Sequence, residues 1–198
     1  MGSRWKDDLT GTDDSDFIRL FGRDDTFAGL RDNDFVYGGG GDDRISGNQG
    51  LDVIYGGVGF DRIYGGQSAD RMFGGKGNDR LFGGVGVDYI VSGMGNDRSY
   101  GGDGPDSFYD EDGRDTVWGN AGNDTIIMGH QRDTLYGGQG DDELYGGPGR
   151  DRFFGGKGDD FIVGLAGRDS LTGGSGADVF YFQTGDGKDT ITDFDPNV

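Results

Sequence analysis

An aspartate stands at every ninth residue from Asp7 to Asp178, without one insertion or deletion. A chain held to that beat cannot be an ordinary globular domain; it repeats one small structural unit. The unit reads Gly-Gly-x-Gly-x-Asp-x-apolar-x, as in GGKGNDRLF (Gly74 to Phe82), GGQGDDELY (Gly137 to Tyr145) and GGKGDDFIV (Gly155 to Val163). Counted from the first glycine, aspartate is position 6 and the apolar residue position 8, where only Ser99 is not apolar. One inward residue between two outward ones is a three-residue strand, so the six residues before it must turn. Glycine fills position 1 in 16 of the 20 units and position 4 in 14, which suits turns with positive backbone dihedrals. The expected fold is therefore all-β: a parallel β-roll, a β-helix-like solenoid with two nine-residue units per coil. Coils stacked at about 4.8 Å would form two short-stranded parallel sheets around a thin apolar core.

Composition narrows the chemistry. The 198 residues show no internal linker and read as one domain. The 46 glycines fall in register, which argues for structure rather than disorder, and three prolines with a period of nine exclude collagen. There is no cysteine, hence no disulfide or thiolate site. No run approaches the roughly 18 apolar residues of a membrane helix, and the N-terminus carries no apolar signal region.

The net charge of −19 has a specific source. Aspartates one coil apart, such as Asp61 and Asp79 or Asp70 and Asp88, stack on each edge of the solenoid, and bare ladders of this kind repel. A hard divalent cation between consecutive turns would remove the repulsion and use carbonyls of the glycine turns. Oxygen-only ligands in flexible turns favour calcium over magnesium, and zinc is disfavoured with a single histidine, His130. Roughly 10 to 14 calcium ions at six or more oxygens each would fit the intact turns.

The nonapeptide resembles the RTX (repeat in toxin) family of hemolysin-type calcium-binding repeats, with its calcium-loaded parallel β-roll. The resemblance covers residues 38 to 181. It implies that calcium is held by Asp43, Asp52, Asp61, Asp70, Asp79, Asp88, Asp97, Asp106, Asp115, Asp124, Asp133, Asp142, Asp151, Asp160, Asp169 and Asp178 together with backbone carbonyls. It also implies an extracellular protein exported by type I secretion from a Gram-negative bacterium, unfolded where calcium is scarce and folding outside. Three regions follow: degenerate N-terminal repeats or a cap at 1–37, the calcium-binding β-roll at 38–181, and the start of a truncated C-terminal cap at 182–198. Before Gly38 the glycines give way to Leu20, Phe21 and Leu30, and position 4 is Trp5, Asp14, Arg23 or Asp32, so weak or no calcium binding is expected there. Ser68, Ser92, Asp110-Glu111, and Met128 with Gln131 also break the pattern and put their sites in doubt. After Tyr181 the beat fails, with Gly187 where aspartate was due, and Gly185 to Pro196 resembles the lead into a C-terminal cap. Met1-Gly2-Ser3 resembles a cloning remnant, so a piece of a larger parent protein with other domains is expected.

Other functions fit the sequence less well. His130 is the only histidine and sits in a turn, so no histidine-pair zinc motif, Cys-His dyad or serine triad is expected, and the module is read as non-catalytic. A polysaccharide-binding face is the alternative function. Alternate units place Arg44, Arg62, Arg80 and Arg98 at position 7, and Tyr64, Phe82, Tyr100 and Trp118 at position 9, on one sheet face. The bland reading is that outward strand positions favour aromatic ladders and solubilising arginines. The opposite face carries an apolar stripe through Tyr37, Tyr55, Phe73, Val91 and Tyr109, suited to packing against another domain or copy. Ice binding is discounted because positions 3 and 5 hold no regular polar array. Nucleic-acid binding is discounted because one short arginine row on an acidic chain is no basic footprint.

Overall fold

The computed structural model describes residues 6–194; Met1-Gly2-Ser3, Trp5 and Pro196 lie outside the described residues. Among the described residues, twenty-one strands alternate between two sheets. The odd-numbered strands, from β1 (Asp8–Thr10) to β21 (Thr190–Ile191), form an 11-stranded sheet, and the even-numbered ones, from β2 (Phe17–Arg19) to β20 (Val179–Phe180), a 10-stranded one. Both sheets are parallel, and each strand pairs with the strand one coil on. Between β7 (Arg62–Gln67) and β9 (Arg80–Val85), Arg62 lies beside Arg80, Ile63 beside Leu81 and Tyr64 beside Phe82. This is the 18-residue coil that the aspartate beat requires.

Many strands are longer than the three residues expected. β7 and β9 continue through the Gly-Gly-x that opens the next unit, because Gly66 pairs with Gly84 and Gln67 with Val85. The true turn is thus confined to positions 4 to 6. Strands keep to three residues at β12 (Ser107–Tyr109), β14 (Thr125–Ile127), β16 (Glu143–Tyr145) and β18 (Phe161–Val163). The turns after these four adopt a different form, joined by isolated bridges from Met94–Asp112 through Gly149–Gly167.

Positive φ occurs at positions 2 and 4, as at Gly57 (116°) and Gly59 (149°), and not at the position-1 glycines of the regular coils. Among the described residues, every non-glycine residue with positive φ occupies one of these same two positions: Leu30, Asn48, Asn120 and Leu165 at position 2, and Arg23, Asp32, Ser68 and Gln131 at position 4. The coil geometry therefore persists where its glycine is lost, at a local strain cost.

The core is a single file of position-8 side chains. Ile45, Ile54, Ile63, Met72, Leu81 and Ile90 are fully buried. Ser99 continues the file as a buried hydroxyl without a hydrogen-bond partner. Leu20 and Met128, which replace position-1 glycines, also turn inward and join the core. After Tyr181 two extra residues intervene and the pairing resumes: β21 adds to β19 (Ser170–Ser175), with Thr190 beside Ser170, 20 residues on.

Candidate metal centre

The two oxygens of each position-6 aspartate from Asp25 to Asp169 have different fates. Oδ1 accepts a hydrogen bond from the backbone N–H of the aspartate one coil earlier: Asp43 N–H donates to Asp61 Oδ1 at 2.8 Å, Asp61 N–H to Asp79 Oδ1 at 2.8 Å, and Asp70 N–H to Asp88 Oδ1 at 2.8 Å. This ladder ties successive coils together along both edges. Oδ2 has no such partner. From Asp25 to Asp169, every position-6 Oδ2 is buried and unpartnered. An ionised oxygen left unsatisfied in the interior is costly, and its regular repetition calls for one common counter-group.

The position-1 glycines show where that group would sit. A methyl group placed on Gly56 would lie 2.5 Å from Asp61 Oδ2 and 2.7 Å from the carbonyl oxygen of Gly74 in the next coil. A carboxylate oxygen and a carbonyl oxygen thus converge on space that only glycine leaves open. The same convergence recurs at Gly65 with Asp70 and Gly83, and at Gly137 with Asp142 and Gly155. Position 1 is glycine for room rather than for backbone dihedral, which corrects the expectation from the repeat.

The electrostatics agree. Burial, opposed by the ladder hydrogen bond, pushes the carboxyl of Asp61 up to about 6 and that of Asp79 up to about 7, the latter helped by the Asp61 and Asp97 charges. Asp70, raised by burial and then by Asp52 and Asp88, reaches about 8. Without a cation, burial shifts these groups toward the protonated form. The donor set is entirely oxygen, buried and anionic, and it fits a hard divalent cation. Position-6 aspartates would hold it with carbonyls of the glycine turns, and bound calcium would supply the charge that neutralises the ladders.

The sixteen aspartates from Asp43 to Asp178 all occupy these edges. Asp43 to Asp169 are buried, while Asp178 is half-buried, with Oδ1 accepting from Asp160 N–H at 3.1 Å. Asp25 and Asp34, where weak or no calcium binding is expected, are equally buried with unpartnered Oδ2 atoms. Gly29 keeps the cradle open beside Asp34, whereas the buried side chain of Leu20 takes that place beside Asp25. Asp189 also takes up the ladder, accepting from Asp169 N–H at 3.0 Å across the two-residue insertion. Asp16 differs, since its Oδ2 accepts from Thr12 N–H at 2.7 Å.

The irregular turns divide into two kinds. Met128 puts a buried apolar side chain where the glycine cradle would be. Asp110 instead adds a carboxylate: Asp97, Asp110 and Asp115 each direct one oxygen into a space where these atoms lie within 4.8 Å of one another. Ser92 Oγ donates to Asp110 Oδ1 at 2.6 Å and fixes it, while Asp110 Oδ2 remains buried and unpartnered. Burial raises both Asp110 and Asp115. The departure from the consensus thus brings three carboxylates together, the one such cluster among the described residues.

The proposed sugar-binding face is built differently from its sequence pattern. Arg62, Arg80 and Arg98 are exposed in a row. The rings of Tyr64, Phe82, Tyr100 and Trp118 stack face to face, with centroids 4.4 to 4.9 Å apart and planes within 7°. Each ring face is covered by the next coil's ring.

A parallel β-roll of 18-residue coils with a buried carboxylate at each turn from Asp25 to Asp169 is a repeat protein whose two edges fit rows of cations. Among known families, the profile for the RTX calcium-binding nonapeptide repeat (4 copies) matches residues 21–54, 46–81, 64–99, 100–129, 131–162 and 154–191. The chain belongs to this calcium-binding RTX repeat family. No curated protein matches the chain.

Proposed function

We propose that this chain is the calcium-triggered folding module of a secreted bacterial protein, and that it stiffens and stabilises an attached effector or adhesin. The observation that carries the reading is the unbroken row of buried, unpartnered Oδ2 atoms from Asp25 to Asp169. Such a row opposes folding until cations enter, so calcium concentration becomes the folding signal. Roughly 10 to 14 ions are expected, with Met128 removing capacity and Asp110 adding it. Export by type I secretion suits a chain that stays extended in a low-calcium cytosol. The module itself is read as non-catalytic, with His130 exposed at one edge and any enzyme domain lying elsewhere in a parent protein.

Calcium titration followed by tryptophan fluorescence, with ion stoichiometry by equilibrium dialysis, tests this reading. Folding should occur between roughly 0.1 and 1 mM calcium, the range of extracellular modules. A folding midpoint below about 1 µM would mean that the chain folds inside the cell and would overturn the secretion reading. Polysaccharide binding at the aromatic face is not favoured as a second function, because ring faces stacked on one another are closed to a sugar.

A further inference from the structure

The aspartate beat conceals a second row. On one edge, position 5 of five successive turns is Arg114, Arg132, Arg150, Arg168 and Lys188, each just before a ladder aspartate. In the preceding turns of that edge the same position is Asp24, Asp42, Phe60, Asn78 and Asn96. There the acids and amides cap the next coil, as when Asn96 Oδ1 accepts from Arg114 N–H at 3.0 Å. The capping row ends where the cations begin. From that point the turns change form and are bridged coil to coil, Gln131 to Gly149 to Gly167 to Gly187.

All five cations are exposed; none forms a salt bridge among the described residues, although the Arg132 charge favours ionised Asp151 beside it. They line continuous grooves rather than spreading over a convex surface. Arg132, Arg150 and Arg168 share one groove with Thr134, Arg152, Ser170 and the ladder residue Asp151, and Arg150, Arg168 and Lys188 share the next with Ser170, Thr190 and the ladder residue Asp169. Position 7 beside them forms an in-register row, Thr116, Thr134, Arg152, Ser170 and Thr190. One edge thus offers a file of cations at about one strand spacing, flanked by hydroxyls.

We propose that this edge binds a linear acidic polysaccharide, one anionic sugar chain lying along the solenoid axis. A single file of cations at about 4.8 Å matches a polymer with one weak charge per repeat. Duplex nucleic acid carries one charge per about 1.7 Å on two rails and requires a broad basic footprint. Single-stranded nucleic acid is held by stacking its bases on aromatic rings, and none lines these grooves. The hydroxyl file suits sugar hydroxyls. Calcium loading of the ladder aspartates would also remove the negative field behind the cations, so the surface would become attractive only in the folded, metal-loaded chain.

The test uses the full chain in saturating calcium and oligogalacturonate as probe, with neutral dextran and single-stranded DNA as comparisons. Variant one is R132Q/R150Q/R168Q, and variant two is R62Q/R80Q/R98Q on the sheet face. Circular dichroism in calcium first checks that each variant is folded, which separates failure of this proposal from failure of calcium-dependent folding. Oligogalacturonate should bind the parent chain, bind variant one about tenfold or more weakly, bind variant two nearly as well as the parent, and dissociate as salt rises. No binding to the parent, equal loss in both variants, or undiminished binding by variant one, which is what calcium bridging to the polymer would give, overturns the proposal. Tighter binding of single-stranded DNA than of oligogalacturonate overturns the choice of ligand.

Discussion

At the scale of the residue, the position-6 aspartate does two jobs with two oxygens, and substitutions can separate them. Asp79→Asn can retain an oxygen to accept the Asp61 N–H bond while losing the charge at Oδ2. Asp79→Ala loses both. In calcium, the alanine variant should be less stable than the asparagine variant by about 1 kcal/mol, the net worth of a ladder hydrogen bond, whereas both should bind fewer ions than the parent. Equal stability in chemical denaturation would refute a structural role for Oδ1. At the centre of the roll, Asp110→Gly restores the consensus but dismantles the three-carboxylate site. It should lower the affinity of the tightest calcium-binding step in a terbium-luminescence or calorimetric titration, and unchanged affinity would contradict that site. The periodicity made the aspartates legible, but not the division between Oδ1 and Oδ2. A nine-residue pattern shows which side chains share an edge and says nothing of which backbone N–H each carboxylate meets. At Asp110 a missing position-1 glycine signals lost space, and only the structure shows that the replacement is itself a ligand type fixed by Ser92.

At the scale of the element, the coil is a backbone device that tolerates loss of its consensus. Leu30 holds a φ of 98° at position 2 and is exposed, so little burial is lost on removing its side chain. Leu30→Gly should stabilise the calcium-loaded chain by about 1 kcal/mol, relief of left-handed strain exceeding the added flexibility of the unfolded chain. A lower denaturation midpoint would show that the strain is absent. The same tolerance explains what was legible in the N-terminal and C-terminal regions. Glycine loss before Gly38 predicts weak or no calcium binding there, and Asp25 and Asp34 nonetheless retain the buried ladder geometry because Arg23, Leu30 and Asp32 adopt the glycine-like backbone themselves. The failure of the beat after Tyr181 was real in register but not in architecture. Two inserted residues are absorbed in the connection, and Asp189 with Thr190–Ile191 resumes the pairing. The apolar file at position 8 was legible residue by residue, since alternation in a strand leaves no other inward position.

At the scale of the whole molecule, a single-file core and two carboxylate ladders make folding conditional on charge neutralisation. Protons and calcium should act as alternatives. The ladder carboxyls are raised in the fold, to about 6 at Asp61 and about 7 at Asp79 and Asp142, against about 4 in the unfolded chain. A raised acid destabilises the metal-free fold above its unfolded value, so that fold should be favoured at low pH and lost as pH climbs through 4 to 7. With calcium the sign reverses: protons compete for the same oxygens, so the calcium midpoint should move to higher concentration as pH falls from 8 to 5. A midpoint independent of pH would mean that these carboxylates are not the ligands. Because each coil contacts only its neighbours, the loss of cations should also unravel the roll cooperatively along its axis. Far-UV circular dichroism at pH 8, with excess chelator and then with added calcium, tests the central claim most directly. Disorder in chelator that converts to β-structure on calcium addition is the predicted result, and a β-roll that stands unchanged in excess chelator would contradict it.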